Sequence, residues 1–190
     1  DFLRLNGSHN SLAWHRKISK RIKFIDPKTK ILLDLPGIKP RTANKSKITI
    51  FLNEKVIFYF GTSPKNFKFT KIKTTRPIPK IQKKIKYFSL SDGKFLFHFV
   101  KKGQNYIIGR SASKFTLFPQ KGINIPYSKY NEKEQLKIYI KFLNKYKKEV
   151  KFDAVGLSFV QTDGVVKIIK SKFQNLAIIS KIENIEGLRE

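Results

Sequence analysis

Apolar and polar positions change period several times along the chain, and each change marks an element. Residues 1–6 form a short apolar strand. Over 11–24, Leu12, Ile18 and Ile22 fall near one face with basic residues on the other, which predicts a helix that Asp26-Pro27 breaks. Ile31-Leu32-Leu33 is a continuous apolar run, as in a strand buried on both faces, and Asp34-Leu35-Pro36-Gly37 is a turn signal. Further on, Asn131 and Glu134 have the spacing of a capping box. Leu136, Tyr139, Ile140, Leu143 and Tyr146 then recur at helical spacing. Residues 153–160 read as a strand, 162–172 as a helix and 176–183 as a strand.

Between 42 and about 119 the pattern is different. Ile48-Thr49-Ile50-Phe51, Val56 to Phe60, Phe95 to Val100 and Tyr106-Ile107-Ile108 are β-branched and aromatic runs. Ser91-Asp92-Gly93-Lys94 and Lys102-Gly103-Gln104-Asn105 suit hairpin turns. The stretch carries two acids, Glu54 and Asp92, and reads as a small all-β domain inserted into an alternating β/α chain. Alternation of that kind implies a parallel sheet, either doubly wound or a (β/α) barrel. The expected domains are 1–41 and 121–190 for the α/β part and 42–120 for the insertion.

Composition narrows the chemistry. The 190 residues include 41 Lys plus Arg against 13 Asp plus Glu, a formal charge of +28. With 40% hydrophobic residues a packed core is available, so wholesale disorder is excluded. There is no Cys, hence no disulfide and no thiolate chemistry, and three scattered His make a zinc site improbable. No apolar run approaches the roughly 18 residues of a membrane span and no secretory signal opens the sequence, so a cytoplasmic protein is the default. The sequence contains no Met and starts directly on strand-like residues, which suggests a piece of a longer chain. The basic residues are distributed throughout, Lys far exceeding Arg, alongside many Ile, Phe, Asn and Tyr. A drift toward AT-rich codons gives the same composition without functional meaning, and nucleic-acid readers lean on Arg, so nucleic acid is not an expected partner.

Polar residues gather at the predicted strand ends. Arg4, Asn6, Ser8 and His9 close the first, Asp34 the second, Ser158 the third, and Lys181 and Glu183 the fourth. Parallel strands bring their carboxyl ends to one rim, where α/β folds bind ligands. Lys181 and Glu183, two apart on a strand, should point the same way. A cation and a carboxylate there suit a phosphorylated substrate and a hard divalent ion. For any one such pair, a plain surface ion pair is the simpler explanation, but agreement of four strand ends argues for a site.

These strand ends carry words that resemble pyruvate kinase. Arg4-Leu5-Asn6-Gly7-Ser8-His9 is similar to RLNFSH, and the run from Leu33 to Thr42 to LDLPGPKIRT. Lys121 to Pro126 resembles KGVNLP, Leu157 to Gln161 matches LSFVQ, and Ile179 to Gly187 matches ISKIENxEG. The resemblance implies part of a (β/α)8 TIM barrel with an inserted β-barrel lid, and transfer of phosphoryl from phosphoenolpyruvate to ADP, giving pyruvate and ATP in glycolysis. It implies that Arg4 binds the substrate phosphate and that Lys181 stabilises the transferring phosphoryl and the enolate oxygen. Glu183 corresponds to a Mg2+ (or Mn2+) ligand. Asn6, Ser8 and Asp34 correspond to monovalent-cation ligands, and His9, Arg41 and Lys121 to contacts with nucleotide phosphates. It further implies an intact protein that is a homo-oligomer, a tetramer in the family.

Some positions depart from the family words. Lys39 stands where K+-dependent members carry Glu, and Leu35 where they carry a K+-ligating Thr, so the Lys39 ammonium is expected to replace K+. Gly7 stands in place of an aromatic residue, and Ile38 and Pro40 exchange the usual Pro and Ile. With part of the barrel beyond both ends, the chain by itself is expected to be inactive. The alternatives are a divergent relative acting on another substrate and a basic nucleic-acid-binding module on the same scaffold.

Overall fold

The computed structural model describes residues 2–65 and 67–188 and divides the chain into two compact units. Asp1, which opens the first expected strand, lies outside the described residues. The first unit contains residues up to Ile38 and from Tyr130 onward, and the second runs from Lys39 to Lys129. Segments 39–41 and 121–129, assigned to the α/β part from sequence, thus fall in the β unit. They hydrogen-bond within it, as in Ile123 N–H to the Pro40 carbonyl at 2.9 Å.

In chain order, β1 is Phe2–Asn6, α1 Leu12–Ile25 and β2 Lys30–Asp34. The second unit follows with β3 Ile48–Ile50, β4 Lys55–Tyr59, β5 Thr70–Lys73, β6 Lys80–Ile81 and β7 Tyr87–Leu90. It continues with β8 Phe95–Lys102, β9 Tyr106–Ser111, β10 Phe115–Leu117, β11 Ile123–Asn124 and β12 Ser128–Lys129. The first unit resumes with α2 Glu132–Tyr146, β13 Ala154–Ser158, α3 Asp163–Lys172 and β14 Ala177–Lys181.

The first unit is a mixed α/β structure around a four-stranded parallel sheet of order β1-β2-β13-β14, each strand added at the same edge. Alternate strand residues Leu5, Ile31, Leu33, Val155 and Leu157 share one core with Tyr139, Leu143 and Tyr146 of α2 and with Val165 and Ile169 of α3. The pleat sends Arg4, Asp34, Gly156, Ser158 and Lys181 to the opposite face. Asn131 caps α2 as the sequence indicates, accepting from the Glu134 N–H, and Ser11 caps α1 by accepting from the Trp14 N–H, while α3 has no side-chain cap. No helix among the described residues is long and apolar enough to cross a membrane.

The second unit is a six-stranded sheet, β11-β7-β8-β9-β4-β5, with the pairs β3–β10 and β6–β12. Its core centres on Phe58, Phe88 and Phe97, whose ring centroids stand 5.3–5.7 Å apart. Asp92 and Gly93 both have positive φ, 55° and 95°, as a tight turn between β7 and β8 requires. The four apolar runs became β3, β4, β8 and β9. The strands over 70–73 and 87–90 were not expected, because their Lys and Ser alternation dilutes the apolar signal.

Candidate functional site

The carboxyl ends of β1, β2, β13 and β14 lie side by side, with Asn6 opposite Asp34 and Ser158 opposite Lys181 in register. Asp34 is the centre, its side chain only 4% exposed. A buried carboxylate is tolerable only when paired, and two cations meet it. Arg4 donates to Asp34 Oδ2 from Nε at 2.8 Å and Nη2 at 2.5 Å. Lys181 Nζ lies 3.0 Å from both carboxylate oxygens and 3.1 Å from Ser158 Oγ. The Ser158 hydroxyl lies 3.3 Å from Asp34 Oδ1 and 3.0 Å from the Leu35 carbonyl. Glu183 completes the cluster, 3.3 Å from Lys181 Nζ.

Glu183 was expected on the strand. Instead β14 ends at Lys181 and the carboxylate reaches the ammonium from the following loop, so the pleat is not what puts the two together. Asp34 stands behind the cations, whereas the Arg4 side chain is 56% and that of Lys181 36% exposed. The arrangement holds two positive groups outward in fixed relation, as an anion site requires. Formal charges of the four residues cancel. A phosphoryl dianion therefore enters with least electrostatic cost when a divalent cation accompanies it.

Asn6 Oδ1 accepts from the Ser8 N–H at 3.0 Å, closing a turn beside Asp34, while Ser8 and His9 are exposed. His9 contributes its backbone N–H to the Asn6 carbonyl at 3.2 Å. The turn is held from below by His15, buried between the Asn6 carbonyl, the Ser11 carbonyl and the Tyr146 hydroxyl. Leu35 lies in the unit's hydrophobic core. Ile38 packs with Tyr130 and Phe159 in a small buried cluster of its own.

The end of β13 has its own support. Phe159 takes a left-handed φ of 61°. Gln135 on α2 donates to its carbonyl at 2.7 Å, and the Tyr139 hydroxyl donates to the carbonyl of Ser158. The available signal was a Gln one turn before Tyr139 on an apolar helix face. Ser158 is visible in the sequence as a strand end, without a signal for its bond to the lysine.

The remaining expected site residues belong to the second unit. Lys39 Nζ donates to Asp92 at 2.6 Å, and that ammonium holds the Asp92 carboxyl below its ordinary pKa. Gly122 leaves room for this lysine, since a Cβ there would stand 2.8 Å from Lys39 Cε. Arg41 bridges to Gly122 across the chain and donates to the Gln120 carbonyl at 3.1 Å. On the neighbouring position the Thr42 N–H donates to the Lys121 carbonyl at 2.8 Å, and the Lys121 N–H donates to the Thr42 hydroxyl oxygen at 3.1 Å. Arg41 and Lys121 thus share one edge of the β unit.

No group of three or more His, Asp or Glu that could hold a metal ion occurs among the described residues. Glu183 is a hard oxygen donor beside Lys181, and both oxygens of Asp34 are engaged by Arg4 and Lys181. Magnesium keeps several waters and bridges phosphates, so one carboxylate is compatible with it, as part of a larger donor set.

No family model matches the chain. It is 28% identical over 203 aligned residues to the pyruvate kinase of Thermococcus litoralis, an alignment covering 98% of this chain and 41% of that protein. The chain thus spans less than half the length of this relative. A similarity of this extent agrees with the family to which the five words point.

Proposed function

We propose that this chain is a portion of a pyruvate kinase-type phosphotransferase, moving phosphoryl from phosphoenolpyruvate to ADP. The observation carrying the reading is the buried Asp34 with Arg4 and Lys181 held over it. In the reaction a terminal oxygen of ADP attacks the phosphorus in line, the bond from phosphorus to the enol oxygen breaks, and the enolate gains a proton on carbon to become pyruvate. Such a transfer depends on positioning and charge neutralisation rather than a covalent nucleophile. Arg4 grips the phosphate of the substrate. Lys181 neutralises charge on the moving phosphoryl and on the enolate oxygen. Glu183 holds Mg2+ or Mn2+, which supplies Lewis-acid neutralisation of the phosphates when bound. His9, Arg41 and Lys121 take the nucleotide phosphates.

Within this reading the parallel sheet is part of a (β/α)8 barrel and the second unit its lid. Strand addition at one edge without reversal supports the barrel over a doubly wound sheet. Asn6, Ser8 and Asp34 form the monovalent-cation corner, and lysine at 39 with leucine at 35 removes the need for K+. The chain alone does not turn over, because edge strands β1 and β14 leave Phe2 44% and Ile179 39% exposed and the metal has one carboxylate.

Calorimetric titration of the chain with phosphoenolpyruvate, with and without Mg2+, tests the site. Binding should require the metal and be lost in Arg4→Met and Lys181→Met. Equal binding by those variants, or pyruvate production by the 190-residue chain, would refute the respective parts of the reading.

A further inference from the structure

Surface turns are ordinarily built from polar residues, and the turn joining β3 to β4 is not. Its first two residues, Phe51 and Leu52, are 55% and 58% exposed. The backbone fixes where they point. Asn53 takes a left-handed φ of 63°, the Phe51 N–H donates to the Glu54 carboxylate at 2.7 Å, and the Glu54 N–H donates to the Phe51 carbonyl at 3.2 Å. The Asn53 N–H and the Glu54 carbonyl are both bonded to the backbone of Ser111, each at 2.9 Å. Two large apolar side chains are therefore held in water on a fastened turn, a cost that burial against a partner would recover.

The ribbon of β3 and β10 beside the turn continues the pattern. Ile48, Ile50, Phe115 and Leu117 face the core of the unit, so the pleat sends the register partners Thr49 and Thr116 outward. Past each end of that pair a lysine meets a ring. Lys114 Nζ stands 5.3 Å from the centroid of Phe51, and Lys47 Nζ 5.2 Å from that of Phe118. All six residues are exposed, Phe118 at 46%. Residues 45–53 and 112–121 contain four lysines and no acid. Glu54, the acid next in sequence, is engaged by the Phe51 N–H and the Thr70 hydroxyl.

We infer that this turn and ribbon dock on an anionic lipid surface. Phe51, Leu52 and Phe118 enter the boundary between headgroups and acyl chains, and Lys47 and Lys114 meet the lipid phosphates. Exposed apolar side chains beside cations, with no acid among them, complement such a surface on both counts. A polyanion in solution would answer the lysines but leave Leu52 in water. The contact is peripheral and needs no membrane-spanning segment. It is independent of the phosphotransfer reading, since none of these residues belongs to that site.

Co-sedimentation of the chain with vesicles of phosphatidylcholine alone, and with about 30% phosphatidylserine, tests it. The anionic vesicles should bind at least about tenfold more tightly. Phe51→Ser with Leu52→Ser, which leaves the charge unaltered, should weaken that binding about tenfold or more and leave affinity for heparin unchanged. Phe24→Ser with Ile25→Ser, at the exposed apolar end of α1, should change it less than about twofold. Lys47→Gln with Lys114→Gln should cost about tenfold, whereas Gln at exposed Lys133, Lys137 and Lys141 of α2 should cost less than about threefold. Should the double Ser variant not fold, Leu52→Trp in a Trp14→Phe background should shift its emission to the blue on adding anionic vesicles. Equal binding to neutral vesicles, equal loss from the two apolar pairs or the two lysine sets, a parallel fall in heparin affinity, or an unmoved Trp emission would each overturn the inference.

Discussion

Lys181 reaches Asp34 across an intervening strand. The two lie on β14 and β2, with β13 between them, so the ammonium spans two strand spacings, roughly 10 Å, to make its 3.0 Å contacts. Gly156 leaves that path open: a Cβ there would stand 3.4 Å from Asp34 Oδ1 and 3.6 Å from Lys181 Cδ. Gly156→Ala should therefore be tolerated within about 0.5 kcal/mol, whereas Gly156→Val should cost about 2 kcal/mol by overpacking. Urea midpoints at constant m-value read the difference.

A ring from α2 fills the space beside Gly7. A Cβ on this residue would stand 2.7 Å from Phe142 Cζ and 2.8 Å from the Asp34 carbonyl oxygen. The aromatic bulk of the RLNFSH word is thus supplied here from a helix. Gly7→Ala should destabilise by about 2 kcal/mol. Adding Phe142→Ala should offset only part of that loss, because the backbone oxygen cannot yield. A double-mutant cycle in urea measures the coupling.

Removal of Asp34 should be the costliest change in the cluster. Asp34→Ala leaves Arg4 and Lys181 facing each other without their carboxylate and should cost about 3 kcal/mol. Arg4→Met should cost nearer 1 kcal/mol, since that side chain is more than half exposed and Lys181 still pairs the carboxylate. Chemical denaturation of the two variants should rank them in this order.

Asp153 gives an acid-dependent contribution. Burial pushes its pKa up, but the Ile31 N–H at 2.8 Å and the Lys23 ammonium at 3.1 Å outweigh this and hold it below the ordinary 3.8. The folded value is the lower one, so its stabilisation is present above pH 3.8 and fades as pH falls through the folded value. Asp153→Asn should cost about 1 kcal/mol at pH 7, a figure kept small by partial solvent exposure. The gap between the two proteins in urea midpoint should be constant from pH 7 to about 5 and narrow below 3.8.

Gln135 supports the left-handed end of β13. Gln135→Leu would remove the donor to the Phe159 carbonyl, whose bond to Gln135 is buried, and should cost about 2 kcal/mol. Thermal unfolding should show the loss, while Gln135→Glu, which brings a carboxylate up to the same carbonyl, should be worse.

The helices of the α/β unit and its four strands were legible because apolar spacing, caps and Pro breaks all agree there. Strands β5 and β7 were not, because a lysine-rich face hides the period of two. Arg4, Asp34, Lys181 and Glu183 could be grouped from strand ends alone, since parallel pairing aligns those ends whatever the side chains do. Their contacts were another matter. That Glu183 would approach from a loop, that Ser158 would join the lysine, and that Phe142 would replace an aromatic at residue 7 depend on local chain direction and three-dimensional neighbours, which no linear spacing encodes. The pairing of Lys39 with Asp92, 53 residues distant along the chain, likewise had no signal in the sequence.

The crossing of Lys181 over Gly156 has a wider consequence. Both cations are mounted on hydrogen-bonded strands and tied to a third, so the gap between them is quantised by the ladder and insensitive to loop sequence. Substitutions in the connecting loops can retune what approaches the pair, but a different gap would demand that a strand be added, lost or slipped.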